Sequence, residues 1–490
     1  MTMERKISQL SPERIWKNFE AICQVPRPSK KEEKMIAFLE RFSQENQFDF
    51  KKDEAGNVLI SKPATPGYEN RKKVTLQSHL DMVCEKDNHV VHNFDTDPIK
   101  PTIDGEWVRA EGTTLGADCG IGIAAEMAVL TDPSIKHGPI ECLFTVDEET
   151  GLTGAFSLKK GFISGDILIN LDSEDEGELF IGCAGGIDTI ARFNYKECEI
   201  PSGYFPLEIK VSGLLGGHSG DDIHKGRANA IKLLIRFLWK AFHDYGIKLC
   251  HIDGGNLHNA IPREAKAVFL IKNFYKENLV ANFNVYAHEL KEEISLTEPN
   301  LKMEISSTDM PAFTLDDKLT ERLINTLYIC PHGVQAMSFR MPGLVETSTN
   351  LASVKFREKG IIEVSTSQRS DQESCKKDIA SVVETAFIMG GATVSHSEGY
   401  PGWTPNPKSK ILGITAQQYE KLFGNKPIIR SIHAGLECGL FLKKYPTLDM
   451  VSFGPTLRDV HSPNERINIE TVDKFWKLLV AVLENIPEML

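Results

Sequence analysis

Pro139-Ile140-Glu141-Cys142-Leu143-Phe144-Thr145-Val146 runs straight into Asp147-Glu148-Glu149-Thr150-Gly151. The first eight residues read as a strand, and the acids that follow stand at its end. Working outward, the same layout recurs. Val74-Thr75-Leu76-Gln77-Ser78 alternates apolar and polar, then reaches His79-Leu80-Asp81. Asp166-Ile167-Leu168-Ile169-Asn170-Leu171 ends at Asp172, and Ile121 to Leu130 reads as a buried helix opening just after Asp118. Strands alternating with helices predict an α/β fold with a mainly parallel sheet. Ligands of such sheets bind beyond the carboxyl ends of the strands, which is where these polar residues occur. A fifth group, His461, stands in the loop His461-Ser462-Pro463-Asn464-Glu465.

Taken singly, each group has a plain explanation. A His-x-Asp is common, a Glu-Glu pair is usually solvated, Asp172 to Glu176 reads as an acidic loop, and His461 as a turn histidine beside Pro463. Together, at successive run ends, they point to one cation site. Histidine with carboxylates and no thiolate suits zinc, with cobalt or manganese as alternatives. Two metals about 3.5–4 Å apart form a hydrolytic clamp. Asp118 is the candidate bridge, with His79 and Asp172 for one metal and Glu149 and His461 for the other. Glu148 adjoins a ligand without being one, the place for a general base. Asp81, two residues from His79, lies on the same face of an extended segment. It is expected to accept the imidazole's second N–H.

The motifs are wider than these residues. Gln77-Ser78-His79-Leu80-Asp81-Met82-Val83, Thr114-Leu115-Gly116-Ala117-Asp118-Cys119-Gly120-Ile121-Gly122, Asp147 to Ala155 and Ile169 to Glu174 carry a resemblance to a known family. So do Gly216-Gly217-His218-Ser219-Gly220 and His433-Ala434-Gly435-Leu436-Glu437-Cys438-Gly439. The chain resembles, over essentially its whole length, the dinuclear zinc hydrolases that include carboxypeptidase G, acetylornithine deacetylase, aminoacylase, the tripeptidase and the carnosine dipeptidases. The resemblance implies two zinc ions per chain, a bridging role for Asp118, Glu148 as base, and a cis peptide at Asp118-Cys119. It further implies dipeptide hydrolysis with a preference for Xaa-His, carnosine-like substrates included, and a homodimer. An N-acyl amino acid deacylase on the same metal centre, and a catalytically silent binding protein, are the alternatives.

Composition agrees with a cytoplasmic enzyme. The length of 490 residues predicts two or more domains. A net charge of −12 disfavours nucleic acid and anionic membrane as partners. Met1-Thr2-Met3-Glu4-Arg5-Lys6 lacks an apolar signal core, and no apolar run approaches the ~20 residues of a bilayer span. The ten cysteines are scattered without a Cys-x-x-Cys pair, as expected of free thiols.

After residue 200 the pattern changes to α+β. Leu207 to Val211 and Ala265 to Leu270 read as strands, as does Gly360 to Ser367. Helices are expected near 226–243, 277–294, 315–328 and 371–388. Tyr400-Pro401-Gly402-Trp403-Thr404-Pro405-Asn406-Pro407 marks a crossover. Because His461 must return to the site of His79, a catalytic domain of residues 1–203 and 401–490 is expected, interrupted by an inserted lid and dimerisation domain of 204–400. Asn259-Ala260-Ile261-Pro262 and Asn350-Leu351-Ala352-Ser353 hint at an internal repeat in the insert. His218, on its glycine-rich loop, is a candidate oxyanion donor, or an exposed hairpin histidine. In relatives it contacts substrate, in some cases across a dimer interface. Arg369 is a candidate partner for a substrate carboxylate, or a surface arginine. Asn259, Asn350 and Gly435 are further candidates for substrate binding. His224, His243, His251 and His258 are expected to be structural or solvent-facing.

Overall fold

The computed structural model describes residues 6–358 and 360–489. Met1-Thr2-Met3-Glu4-Arg5, read above as lacking a signal core, lies outside them. The chain forms two compact units, Met1–Gly182 with Pro405–Ser431 and Leu436–Leu490, and Cys183–Thr404 with Ile432–Gly435.

In the first unit, an eight-stranded sheet runs in the order Asp49–Lys52, Val58–Lys62, Ile140–Thr145, Val74–His79, Ile167–Asn170, Asp449–Ser452, Glu178–Cys183, Ile428–Ile432. The central pairings of Ile140–Thr145, Val74–His79, Ile167–Asn170 and Asp449–Ser452 are parallel. Val58–Lys62 pairs antiparallel on one side and Glu178–Cys183 on the other. The sheet is therefore parallel where the helical crossovers cover it and antiparallel toward its edges.

Every residue of Val74–His79 and Ile140–Thr145 is buried. The alternation in Val74 to Ser78 thus does not mark a wet face, because the polar side chains find buried partners. Thr75 donates to Glu141 (2.7 Å), Gln77 to Glu437 (2.6 Å) and Ser78 to Glu126 (3.0 Å). The helix Ala117–Thr131 is apolar around most of its circumference and buried from Cys119 to Leu130, as such a helix must be. Its first turn is not helical, with extended φ/ψ at Asp118 and a cis peptide at Asp118-Cys119.

The second unit is built on a nine-stranded sheet. Its order is Lys302–Ser307, Tyr204–Ser212, Ala265–Lys272, Lys248–Gly254, Val345–Arg357, Ile361–Ser370, Gly185–Asn194, Thr393–His396, with Gly333–Met337 paired to Val345–Arg357. Every described pairing in it is antiparallel. Helices Ala230–Tyr245, Lys276–Glu293, Asp317–Ile329 and Glu373–Met389 supply Leu234, Phe283, Leu323 and Phe387 to one apolar core with Ile209, Phe269 and Val364 of the strands. Asn229 caps the first helix by accepting from the amides of Ile231 and Lys232, and Gly246 closes it in the left-handed region.

Two expectations change here. Gly185–Asn194, assigned above to the catalytic segment, pairs over its whole length with Ile361–Ser370, so this strand belongs to the second unit's sheet. The internal repeat is present in the topology but not at the two asparagine segments. The half Lys302–Ser307, Tyr204–Ser212, Ala265–Lys272, Lys248–Gly254 and the half Thr393–His396, Gly185–Asn194, Ile361–Ser370, Val345–Arg357 have the same strand order, each with two helices, and meet at Lys248–Gly254 and Val345–Arg357. Asn259 lies in a loop and Asn350 in the middle of a long strand, and the two segments touch rather than repeat: Asn350 Nδ2 donates to the carbonyls of His258 (3.3 Å) and Ala260 (2.8 Å). That strand escaped the sequence reading because Glu346 to Asn350 is polar, yet residues 347–350 are buried. None of the ten cysteines forms a disulfide. No described helix is long and apolar enough to cross a membrane.

Candidate active site

The sheet brings the predicted ligands of the first unit together. His79 ends one central strand, and Asp172 follows its parallel neighbour Ile167–Asn170 by two residues. Glu148 and Glu149 open a single helical turn after Ile140–Thr145, the chain reversing at Asp147 with a left-handed φ of 51°. His461 also has positive φ, 60°, a conformation costly for a residue with a side chain and one that persists where surroundings impose it.

Asp118 stands between the two histidines. Its Oδ1 is 3.0 Å from His79 Nε2 and its Oδ2 is 3.2 Å from His461 Nε2. Asp172 Oδ1 lies 3.4 Å from the same His79 nitrogen, and Glu149 Oε2 lies 3.0 Å from that of His461. Two histidine-carboxylate pairs thus share one carboxylate, the pattern expected of a bridged pair of cations. Glu149 Oε1 is buried without a hydrogen-bond partner. Such an atom is costly unless something else satisfies it. Cys119 also falls near His79 and Asp172. Burial pushes its thiol well up, and Sγ faces the Leu171 carbonyl at 3.5 Å, so it is not counted as a ligand.

The electrostatics agree with this donor set. Burial, reinforced by neighbouring carboxylates, pushes Asp172 up to about 6, Glu174 to about 8 and Glu437 to about 8. Burial also raises Glu148 well above the usual carboxylate range. Hydrogen bonds that His461 donates to Asp118 and Glu149 hold it protonated up to about 11. A cluster that retains protons on both acids and histidines carries more negative charge than it can keep. Divalent cations fit it by replacing those protons.

Asp81 ties this cluster together. Its Oδ1 lies 3.4 Å from His79 Nδ1 and accepts the Glu148 amide at 3.0 Å. Its Oδ2 accepts the Glu149 amide at 3.2 Å and the Ser29 hydroxyl at 2.8 Å. Burial works to raise its carboxyl, but His79 and these donors outweigh it and hold Asp81 at about 2. One carboxylate therefore faces the His79 ring and also fixes the turn that carries Glu148.

Supporting residues were missed in the sequence. Glu465 accepts the backbone amides of Leu115 (2.7 Å), Gly116 (2.9 Å), Ala117 (2.8 Å) and Asp118 (3.3 Å). Arg27 donates to the carbonyls of Leu80 (2.9 Å) and Asp81 (2.6 Å), and to that of Gly116. Glu437 is buried against Gln77 and Thr145 (2.7 Å). Glu465 and Glu437 lie within stretches quoted above, but nothing local distinguishes them from solvated acids.

The second unit holds a different cluster. His218 sits in the short strand Gly217–His218, paired with Ala260–Ile261. Its Nδ1 faces the amides of Gly220 (3.3 Å) and Asp221 (3.2 Å), and Asp221 Oδ2 lies 3.4 Å away. The two aimed amides make Nδ1 an acceptor, so the neutral ring carries its hydrogen on Nε2. Gly220 allows this turn, since a Cβ there would stand 2.1 Å from the His433 carbonyl oxygen. Arg369 is not a surface arginine. It is 6% exposed, donates from Nη1 to Tyr400 Oη at 2.9 Å, and leaves Nε buried and unpaired. Asn350 commits its nitrogen to the 258–260 backbone, leaving Oδ1 buried and unpaired. The Asn259 side chain is exposed. Gly435 makes room for an aromatic ring, since a Cβ there would meet Tyr400 at 2.8 Å. His433, quoted above within a motif but given no role, bonds Ser348 Oγ through Nε2 at 2.7 Å.

Comparison with known proteins accords with this geometry. The profile of peptidase family M20/M25/M40 matches residues 75–485. A cytosol non-specific dipeptidase of Escherichia coli (strain K12) is 43% identical over 482 residues, 98% of this chain and 99% of that one. The crystal structure of aminoacylhistidine dipeptidase from Vibrio alginolyticus superposes with a TM-score of 0.92 at 45% identity, covering 99% of both chains. Aminopeptidase PepT from Bacillus cereus shares the fold, with a TM-score of 0.56 at 17% identity over 97% of this chain and 99% of that one.

Proposed function

The chain belongs to peptidase family M20/M25/M40, and from that premise we propose that its acid and histidine cluster is a two-metal site that hydrolyses dipeptides. The observation that carries this is Asp118, with one oxygen facing each histidine. The full-length likeness to a protein named as a non-specific dipeptidase supports dipeptides as the substrate class. The likeness to one named as an aminoacylhistidine dipeptidase supports Xaa-His, carnosine-like dipeptides among the substrates. A cytosolic location, supported by the first of these names, and a homodimer, as in the family, belong to the same proposal.

His79 and Asp172 would hold one ion, Glu149 and His461 the other, with Asp118 shared. When bound, two zinc ions, or cobalt or manganese in their place, polarise the scissile carbonyl and acidify the attacking water. Glu148 takes that water's proton and passes it to the leaving amine. Asp81 keeps Glu148 and His79 in register through the bonds described above. His218 offers Nε2–H to the developing oxyanion. Arg369 takes the terminal carboxylate with its unpaired edge. Asn350 presents a bare Oδ1, so it suits a substrate N–H. Asn259 stays a candidate by its place beside His218, and Gly435 acts through the space it leaves.

The test is a panel of β-Ala-His, Gly-His, Leu-Gly, a tripeptide and N-acetyl-leucine, with metal counted per chain, on the metal-loaded protein and Glu148→Ala. Cleavage of dipeptides by the parent alone, with two metals in both proteins, supports the proposal. Cleavage of N-acetyl-leucine alone makes the chain a deacylase. Two bound metals with no turnover would make it a binding protein.

A further inference from the structure

We propose that Tyr400 is the positioning residue that turns Arg369 into a carboxylate fork, and that Gly186 and Gly435 form the slot holding its ring. This rests on the assignment of Arg369 to the substrate's terminal carboxylate. Tyr400 stands in the Pro- and Gly-rich crossover, where the sequence shows only a turn. Its backbone is pinned to Gly186 on both sides, amide to carbonyl at 2.8 Å and carbonyl to amide at 3.0 Å. The buried Lys376 Nζ donates to its carbonyl at 2.6 Å. A Cβ on Gly186 would meet ring atoms at 2.6–2.7 Å, and one on Gly435 at 2.8 Å. Neither glycine can grow a side chain without moving the ring. Gly186 is also the register partner of Arg369 in the adjacent strand, so the slot places the phenol beside the guanidinium.

The consequence is geometric. A guanidinium offers a carboxylate two parallel N–H groups along the edge shared by Nε and Nη2. Tyr400 Oη engages Nη1, on the other side of the fork, at 2.9 Å. Nε is buried and unpaired. The phenol thus fixes the plane of the group while leaving the two-pronged edge for an anion. A buried N–H without a partner is costly and rare in a finished structure, and a substrate carboxylate removes that cost. Burial raises the phenol's pKa, against the pull of Arg369, so the hydroxyl stays neutral at physiological pH.

The experiment measures Ki for Leu-Gly and for its C-terminal amide, each competing against the dipeptide that the metal-loaded enzyme hydrolyses fastest. Ki avoids any need for the amide to turn over. Tyr400→Phe removes one hydroxyl and should weaken Leu-Gly about tenfold, the scale of one charge-assisted hydrogen bond. The amide should be unaffected and the melting temperature unchanged. Gly435→Ala, which displaces the ring and keeps the hydroxyl, should shift the same ratio in the same direction. Equal weakening of acid and amide, or an unchanged ratio in Tyr400→Phe, would overturn the proposal. Arg369→Ala separates the two levels. If it abolishes the acid preference while Tyr400→Phe does not touch it, Arg369 keeps its role and Tyr400 loses its own. If Arg369→Ala leaves the preference intact, the carboxylate assignment fails and this proposal fails with it.

Discussion

The two units solve opposite electrostatic problems. The first collects acceptors: Asp118, Asp172, Glu148, Glu149, Glu174 and Glu437 gather around two histidines, and Glu149 keeps a buried oxygen unpaired. The second holds a cation instead: Arg369 keeps a buried N–H unpaired, with the unpaired Oδ1 of Asn350 as the acceptor of the same unit. A cluster of acidic acceptors calls for cations, and an unpaired guanidinium N–H calls for an anion. A peptide substrate needs both, cations at its scissile carbonyl and a cationic partner at its terminal carboxylate. In the proposed function the two clusters serve ligands of opposite charge rather than stability.

Attacking the acceptor cluster should have the largest effect. Asp118→Asn is expected to bind fewer than two metals per chain and to lose all measurable turnover, and a chelator should reproduce the loss in the parent. Atomic emission on the purified protein checks this, and full metal content in Asp118→Asn would break the comparison at its centre. Next, Glu148→Gln should lower kcat by about 10³-fold with metal retained, the scale of general-base catalysis. Turnover near the parent level would move the base elsewhere.

Asp81→Asn sharpens the distinction between ligands and their supports. It should lower activity about 10–100-fold, as for other residues that orient a metal-bound histidine, with both metals retained when metal is in excess. Glu465→Gln should act on stability instead. Weakening its bonds to four consecutive backbone amides is expected to cost about 2–3 kcal/mol, read as a lower melting temperature of the metal-loaded protein. An unchanged melting temperature would show the 115–118 turn to be held by other bonds.

The smallest effect tests the donor side through pH. Burial, with Arg369 nearby, holds His433 down to about 3 from an ordinary 6.5. In the unfolded chain the ring gains its proton first, so unfolded molecules bind more protons as pH falls below 6.5. The contribution to stability is complete above that pH and is lost progressively toward 3, at no more than about 1.4 kcal/mol per pH unit. His332, also held down to about 3 by burial, adds a slope of the same sign. His433→Asn should therefore flatten the fall in urea-unfolding stability between pH 7 and 5 without abolishing it. An equally steep fall in the variant would show that His433 is not buried neutral.

The proposed metal ligands His79, Glu149 and Asp172 were legible because each stands just past a hydrophobic run, and run ends in a parallel sheet meet at one edge. Their supports were not. Gln77 alternates with apolar neighbours just as a solvated strand residue would, yet it is buried against Glu437. The strand Val345–Arg357 hides because its buried serines and threonines look like a loop. Gly185–Asn194 was placed in the wrong segment because strand patterning says nothing about which sheet a strand joins. Asn350 and Gly435 were noticed, but their roles depend on which of their atoms other residues already occupy.

Chemistry and order along the chain were therefore determined by the sequence alone: which residues can ligate a cation, which can move a proton, and which strands carry them to a sheet edge. Hydrophobic periodicity and donor type are local properties, and they survive in a linear text. Only the tertiary structure decided what remains unpaired. Whether Arg369 is a surface arginine or a fork, and whether Tyr400 marks a turn or holds that fork, depends on partners distant along the chain. The cost of a buried polar atom is set by its neighbours in space, and those neighbours exist only once the chain has folded.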